Sequence, residues 1–485
     1  MKARDNRGLN RRNFLRAGAG FAALAADGCA HIGRARKSSD IRIEEVSFGY
    51  EDYVYRAPVG FAGAVMDRAT LITVHCTVRS RAGKVARGFG TIPFNHIFSF
   101  PSQKLSHEQK NEAMKALAAE IAQVMRRCRE FGHPIELSWL LGFAYGVAAK
   151  GVSKELNLPE PIPPLCTLVT GAAFDAAIHD AYGKLHGLNS FDTLAPEFMN
   201  YDLGRYLGAD FKGLYPQDFL LKRVKPIMTL CHLVSAVDPI DESENKIPLR
   251  DGLPETLPEW INYNGLRELK IKLKGTDLAW DLERVMHIER VTAETQMKRG
   301  IKNWAYVLDF NEKCPNVGYF IEFVRKLKDR TPEGFRRIKY VEQPTARDLK
   351  AHPENDMHEA AIICPVVIDE SLIDVDSMLV ARELGWTGAV VKSPKGLTQM
   401  ILVASAAGKH GIFLAGGDMS CPGAALIQTG SFQARVLTIT SIEANARQYL
   451  PQANARWETQ FPGMFRTNNG MLRTSELGGP GLGVG

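Results

Sequence analysis

Residues 268–273 read Glu268-Leu269-Lys270-Ile271-Lys272-Leu273. Side chains of an extended chain alternate between faces, so Lys270 and Lys272 share one face and Leu269, Ile271 and Leu273 the other. Strands of a parallel sheet that is covered on both sides are near-continuously apolar. Two lysines on one face of such a run therefore need a reason. The pattern recurs downstream: Val307-Leu308-Asp309-Phe310-Asn311, Tyr340-Val341-Glu342-Gln343-Pro344, Val367-Ile368-Asp369-Glu370-Ser371 and Val390-Val391-Lys392-Ser393-Pro394 are each an apolar run ending in ionisable residues. One such end is ordinary at the entry to a solvated loop. Five in succession are hard to obtain by chance.

Beyond these runs, the chain from about Lys225 alternates short apolar segments with amphipathic helices. The expected strands are Pro226–Val234, Glu268–Leu273, Trp304–Phe310, Lys339–Glu342, Val366–Glu370, Gly388–Lys392, Gly411–Ala415 and Val436–Ser441. The clearest helices are Asp277–Thr292 and Asn316–Lys328. Eight strands at that spacing predict an α/β fold with a (β/α)8-type, TIM-like barrel. An open dinucleotide-binding sheet would need a G-x-G-x-x-G after its first strand, and there is none. In a barrel the functional groups collect at the C-terminal ends of the strands. Asp309, Glu342 and Asp369, from three successive strands, would meet there. Their oxygen ligands and open positions suit Mg²⁺ best, with Mn²⁺ the alternative. Lysines from the strands on either side would flank the metal.

The part before the barrel has a different grammar. Residues 41–100 are strand-like, with β-branched Leu71–Val78 followed by a turn at Arg79–Gly83. Residues 105–131 then predict a helix, with a Ser106/Gln109 capping box and apolar residues every three or four positions. A second helix is expected over Gly171–His186. Strands followed by helices predict a small α+β domain.

Lys-x-Lys, Asp-x-Asn, Glu-Gln-Pro, Asp-Glu-Ser and a lone Lys, in this order, resemble the enolase superfamily of mandelate-racemase and muconate-lactonizing-enzyme type. Lysines on both sides of the metal make the muconate-lactonizing subgroup the nearest likeness. Ala177-Ile-His-Asp180-Ala-Tyr-Gly183-Lys184 is similar to the helix before that family's barrel, and Pro480-Gly-Leu-Gly483 to its closing segment. The resemblance spans about residues 41–485. It implies a modified (β/α)7β barrel over 223–450, an α+β capping domain over 41–222, and a segment 451–485 that returns toward the cap. It also implies Asp309, Glu342 and Asp369 as metal ligands and Lys272 and Lys392 as an acid/base pair. Lys270 would lower its neighbour's pKa and bind a carboxylate. Asn311 and Glu370 would orient these groups, although an outward salt bridge is an equal reading of Glu370. Lys395 reads as a solvated loop residue. Two departures stand out: Cys421 occupies the apparent seventh-strand Glu position, so that either Asp418 takes the polar role or a substrate contact is lost there, and the eighth strand lacks the Asp-x-Asp of dipeptide epimerases.

The implied chemistry is removal of a proton next to a carboxylate, through an enediolate, leading to racemisation or epimerisation, cycloisomerisation or dehydration of a small-molecule carboxylate. A catalytically silent carboxylate-binding homologue is the rival, motivated by Cys421. Oligomer formation is left open. The composition fits a globular enzyme of 485 residues, 45% hydrophobic and 24% charged. Its formal net charge of +6 sits mostly in residues 1–29, where Lys2, Arg4, Arg7, Arg11, Arg12 and Arg16 face only Asp5 and Asp27. The remainder is too nearly neutral to argue for nucleic acid. Arg11-Arg12 before a mild apolar run, Ala17–Ala26, resembles a twin-arginine export signal, so residues 1–40 are expected to be signal and linker and the protein periplasmic. Lipid attachment at Cys29 is the lesser alternative, since Asp27 and the lack of a preceding Leu count against it. No transmembrane segment is expected. The eight cysteines are scattered singly, without metal-binding spacing.

Overall fold

The computed structural model describes residues 37–484; the Arg11-Arg12 pattern and Cys29 lie outside them. The N-terminal part is a three-stranded antiparallel sheet of β1 (Ile41–Phe61), β2 (Ala64–Ser80) and β3 (Val85–Phe94) in that order. Three helices cover it: α1 (His107–Arg127), α2 (Pro134–Glu155) and α3 (Pro164–His186). Ser106 accepts from the Gln109 amide and the Gln109 side chain accepts from Ser106, the reciprocal cap expected from the sequence. Helix α2 was not anticipated. Gly142, Gly146 and Gly151 interrupt its pattern, yet each sits over open space on the outer face, while Ile135, Leu137, Leu141 and Tyr145 face inward.

Helix α3 lies directly on β3 because two glycines let it. A Cβ on Gly88 would sit 2.1 Å from the Ala181 nitrogen, and one on Gly90 2.1 Å from the Ala173 oxygen. Asp180 fixes the contact by accepting from Phe89 N (2.9 Å) and from Leu482 N (2.9 Å). The end of the chain is thereby tied to the cap, while β12 (Met471–Arg473) pairs antiparallel with the first barrel strand.

The barrel strands are β4 (Ile227–Val234), β5 (Glu268–Lys272), β6 (Ala305–Asp309), β7 (Ile338–Glu342), β8 (Val366–Ile368), β9 (Gly388–Val391), β10 (Phe413–Gly416) and β11 (Ser441–Glu443). They run parallel in chain order from β4 to β10, with β11 on the far side of β4. The Thr438 hydroxyl bridges the remaining seam, donating to Leu414 O (2.7 Å) and accepting from Leu414 N (3.1 Å). The result is a nearly closed barrel of parallel strands with an antiparallel-sheet domain attached, the α/β architecture expected. The eighth strand, however, is Ser441–Glu443 and not Val436–Ser441. The carbonyls of Val436, Leu437 and Ile439 are taken by the Lys225 ammonium rather than by a neighbouring strand.

Inside the barrel an apolar layer of Val307, Tyr340, Val367, Val390 and Ala415 fills the floor. Two residues further along four of these strands stand Asp309, Glu342, Asp369 and Lys392, so strand alternation puts a charge above four of the five floor residues. The opposite faces, including Leu269, Ile271, Leu308 and Ile368, join the large cluster under the outer helices. Among the described residues no helix is long and apolar enough to cross a membrane.

The close approach of α3 makes a direct prediction. Gly90→Ala should destabilise the protein by roughly 3 kcal/mol in urea unfolding, because the added methyl meets helix backbone that cannot swing aside. A change within 0.5 kcal/mol, about that of an ordinary surface substitution, would show that the sheet and helix are not locked at that point.

Candidate active site

Each charged strand end turns into the top of the barrel, where the charges meet without solvent. Lys270, Asp309, Glu342 and Asp369 are at most 1% exposed. Lys270 donates to both oxygens of Glu342 (2.9 and 2.8 Å) and to Glu443 (2.7 Å), and lies 3.3 Å from Asp309. Lys272 donates to Asp309 and to the Asn311 side-chain oxygen (3.0 Å). Lys392 donates to Asp369. Asn311 in turn donates to Glu370 (3.0 Å), so Glu370 is a buried member of the cluster and not an outward salt bridge.

The titration behaviour follows from burial and crowding. Burial pulls the Lys270 ammonium down, but Glu342, Glu443 and Asp309 outweigh it and hold the proton more firmly than usual. Burial pushes Asp309 up, and Lys272 and Lys270 overcome it to leave the carboxyl at about 2. Asp369 is likewise held below its ordinary range, with Lys392 and Lys395 overcoming burial. Glu342 goes the other way: burial, then the nearby Asp309, raises it well above the carboxylate range. Burial and Asp369 raise Glu370 to about 7. With Glu370 and Glu443 the cluster holds five buried carboxyl groups against the four ammonium groups of Lys270, Lys272, Lys392 and Lys395, so they cannot all be ionised without one further positive charge.

That deficit is the fit test for a divalent cation. Asp309, Glu342 and Asp369 offer hard oxygen donors from adjacent strands. Asp369 Oδ1 has no hydrogen-bond donor, although the Lys395 ammonium lies 2.9 Å away. Among the described residues no three ligating side chains stand close enough to share one ion as placed, because ammonium groups occupy the space between the carboxylates. Three carboxylates from adjacent strands are the kind of donor set a hard cation takes.

Lys395 corrects the sequence reading. It is fully buried, donates to the Asp369 carbonyl (2.5 Å) and pairs with its carboxylate. The short helical turn Ser393–Lys395 folds the side chain back under the site. Gln343 is a second unforeseen support. Its amide donates to Thr345 O and Ser371 Oγ while its oxygen accepts from Asp369 N and Ser371 N, which fixes Asp369 relative to β7. Gln343 and Asn311 both hold positive φ (35° and 44°), backbone strain of the kind found at functional sites.

The remaining cavity is small, about 40 Å³, little more than one water. Lys270, Lys272, Asn311, Lys392, Asp418, Glu443 and Asn445 line it from the barrel, and Val59, Phe61, Asn95 and Phe98 from the cap. The Phe98 ring lies 4.4 Å from the Lys392 ammonium, and Phe61 lies 5.5 Å from that of Lys272. Asp418 reaches this cavity, raised by burial to about 6. Cys421 is fully buried behind it, with its thiol pushed far up by burial, as a packed and inert thiol would be. Glu443, Asn445 and the cap residues were given no role from sequence. Glu443 and Asn445 stand in the eighth-strand stretch that the sequence marks only by its lack of Asp-x-Asp; the cap residues carry no local signal.

Residues 253–485 match the family described as "Enolase C-terminal domain-like". Solved structures with this fold include a dipeptide epimerase from Enterococcus faecalis V583 complexed with Mg and the dipeptide L-Leu-L-Tyr (15% identity, 91% of this chain and 99% of that chain, TM-score 0.57). An N-succinyl Arg/Lys racemase from Bacillus cereus ATCC 14579 (16%, 91% and 95%, 0.58) and a 2-chloromuconate cycloisomerase from Rhodococcus opacus 1CP (17%, 91% and 96%, 0.57) are similar. No curated protein matches the chain by sequence. The fold and site thus define a capped barrel with a lysine–carboxylate centre at its mouth. Over residues 253–485, the barrel part, the chain is similar to the C-terminal domain of the enolase superfamily.

Lys395→Met should destabilise the fold by about 3 kcal/mol, the order expected when one partner of a buried ion pair is removed, as read by urea unfolding. A loss below 0.5 kcal/mol, within the surface-substitution range, would mean the lysine is solvated and does not support Asp369.

Proposed function

We propose that the protein abstracts the proton beside a substrate carboxylate, with Lys272 and Lys392 facing the reacting carbon from opposite sides. The observation that carries this reading is the order of charges around the barrel: lysines on β5 and at the end of β9, with three carboxylates on β6, β7 and β8 between them. Asp309, Glu342 and Asp369 would hold Mg²⁺, with Mn²⁺ as the alternative. When bound, the cation supplies positive charge to the substrate carboxylate and to the enediolate that forms from it.

The chain's own residues do the rest. Lys270, kept protonated by its carboxylate neighbours, stays a cation beside the substrate carboxylate and stabilises the developing charge. One of the flanking lysines, in its neutral form, takes the α-proton. The other, protonated, returns one to the opposite face in a racemisation or epimerisation. In a cycloisomerisation or dehydration it stabilises the intermediate while a leaving group departs. Asn311 orients Lys272, and Glu370 orients Asn311. Val59, Phe61 and Phe98 exclude water, and the cap must shift to admit a substrate, because the cavity as it stands holds about one water. Glu443 and Asn445 stand where the substrate's far end would lie. In favour of a racemase, epimerase or cycloisomerase are the names of the similar structures, whose ligands include a dipeptide.

A panel of dipeptides, N-acyl amino acids and muconates incubated with enzyme and Mg²⁺ in D₂O should contain members that gain one deuterium at the α-carbon by mass. Lys272→Ala and Lys392→Ala should each abolish exchange from one stereoisomer in a racemisation. Exchange persisting undiminished in the double variant would overturn the assignment. Binding of carboxylates with no exchange anywhere would favour the silent-binder reading.

A further inference from the structure

Strand β4 has two sides. Leu233 faces the catalytic cavity, while His232 points outward against Trp260, with ring centroids 5.3 Å apart. There His232 lines a second and larger cavity of about 360 Å³, built between the tip of the β1–β2 hairpin, the loop 235–256 and Tyr449. The floor is buried: His232, Trp260 and Tyr449 are 4%, 8% and 2% exposed. The mouth is apolar and open, with Val65, Val237, Ile247 and Leu249 all among the exposed large hydrophobic side chains. Four such residues around one opening form a patch that water covers poorly.

The charged groups of the lining are already engaged. Arg56 is paired with Asp251 and donates to Leu253 O and Pro254 O. Asp238 accepts from Ser235 and Tyr449, and Glu255 from Asn245, Leu249 and Arg250. The His232 imidazole and the Trp260 indole N–H are the lining groups that form no hydrogen bond within the protein. Burial holds that imidazole at about 3, so it is neutral and offers one donor and one acceptor. Because His232 lines the cavity, a ligand hydroxyl or carbonyl placed there can pair with it.

We infer that this cavity is a second ligand site, which takes an uncharged, largely apolar molecule carrying one hydroxyl or carbonyl, with His232 as its polar contact. A charged ligand would find no free counter-charge there. The site is separate from the catalytic centre and does not depend on the chemistry proposed for it. It is adjacent to the lid all the same: Arg56, Ala57 and Pro58 line this cavity, and Val59 and Phe61 of the same strand cover the other.

Equilibrium dialysis of the full chain against 1-naphthol and its near-isostere 1-methylnaphthalene tests the inference. Naphthol should bind saturably, with one site per chain, and roughly fivefold tighter than the methyl compound, the contribution of one neutral hydrogen bond. His232→Leu should erase that preference. Val237→Trp, at a half-exposed position that tolerates bulk, should close the cavity and abolish both. Equal binding of the two compounds to wild type, naphthol binding that survives Val237→Trp, or no saturable binding (a cavity that takes only water) would each overturn the proposal. Should His232→Leu fail to fold, the comparison of the two compounds and the Val237→Trp variant still decide it.

Discussion

The ammonium of Lys270, enclosed by Glu342, Glu443 and Asp309 at the top of the barrel, is the interaction on which the rest of the site depends. A lone buried charge of either sign is prohibitively costly. The strands can carry ionisable residues inward only because each finds a partner from its neighbour. Lys270 pairs across β5, β7 and β11, Lys272 with β6, and Lys392 and Lys395 with the end of β8. The apolar floor two residues below keeps water out from beneath, and the cap aromatics keep it out from above. The same enclosure raises Glu342 and lowers Asp309 and Asp369, so the centre is electrostatically tense and responsive to an added cation.

The cap is held for a purpose. Asp175 accepts from the backbone and hydroxyl of Thr398 (2.7 and 2.8 Å) at the start of a barrel helix, and Gln428 exchanges hydrogen bonds with Thr91 and Phe89 of β3. Arg347 pairs with Glu312 and donates to Phe98 O (3.0 Å). The residues that close the cavity are thus anchored to the loops that carry the charges. The hairpin tip beyond them, at Ala62-Gly63, rests on the loop after β4 through Ala236 N to Gly60 O (2.9 Å). That is where the second cavity opens.

Much of this was legible in the chain because strand alternation is a two-residue rule. Lys270 and Lys272 on one face, and the carboxylates at successive strand ends, are local patterns, and they placed the barrel and its charged mouth. What escaped was either masked locally or formed at long range. The glycines of α2 interrupt a helical pattern only on its solvent side. Lys395 follows a proline in a helical turn whose direction no spacing predicts. The eighth strand slid by several residues because Val436–Ile439 is apolar enough for a strand, while its carbonyls belong to Lys225. Phe98 and Phe61 come from a separate domain more than 170 residues before Lys272, so nothing near them in sequence marks them as lids.

The central claim is that the buried carboxylates of β6–β8 form a site for a divalent cation that the lysines only partly neutralise. Calorimetric titration of Mg²⁺ into the wild type and into Glu342→Gln tests it most directly, with circular dichroism to confirm that both are folded. The account predicts saturable one-site binding to the wild type, weakened at least roughly tenfold in the variant, about 1.4 kcal/mol. Equal affinity in the two proteins, or no binding to the wild type, would contradict it.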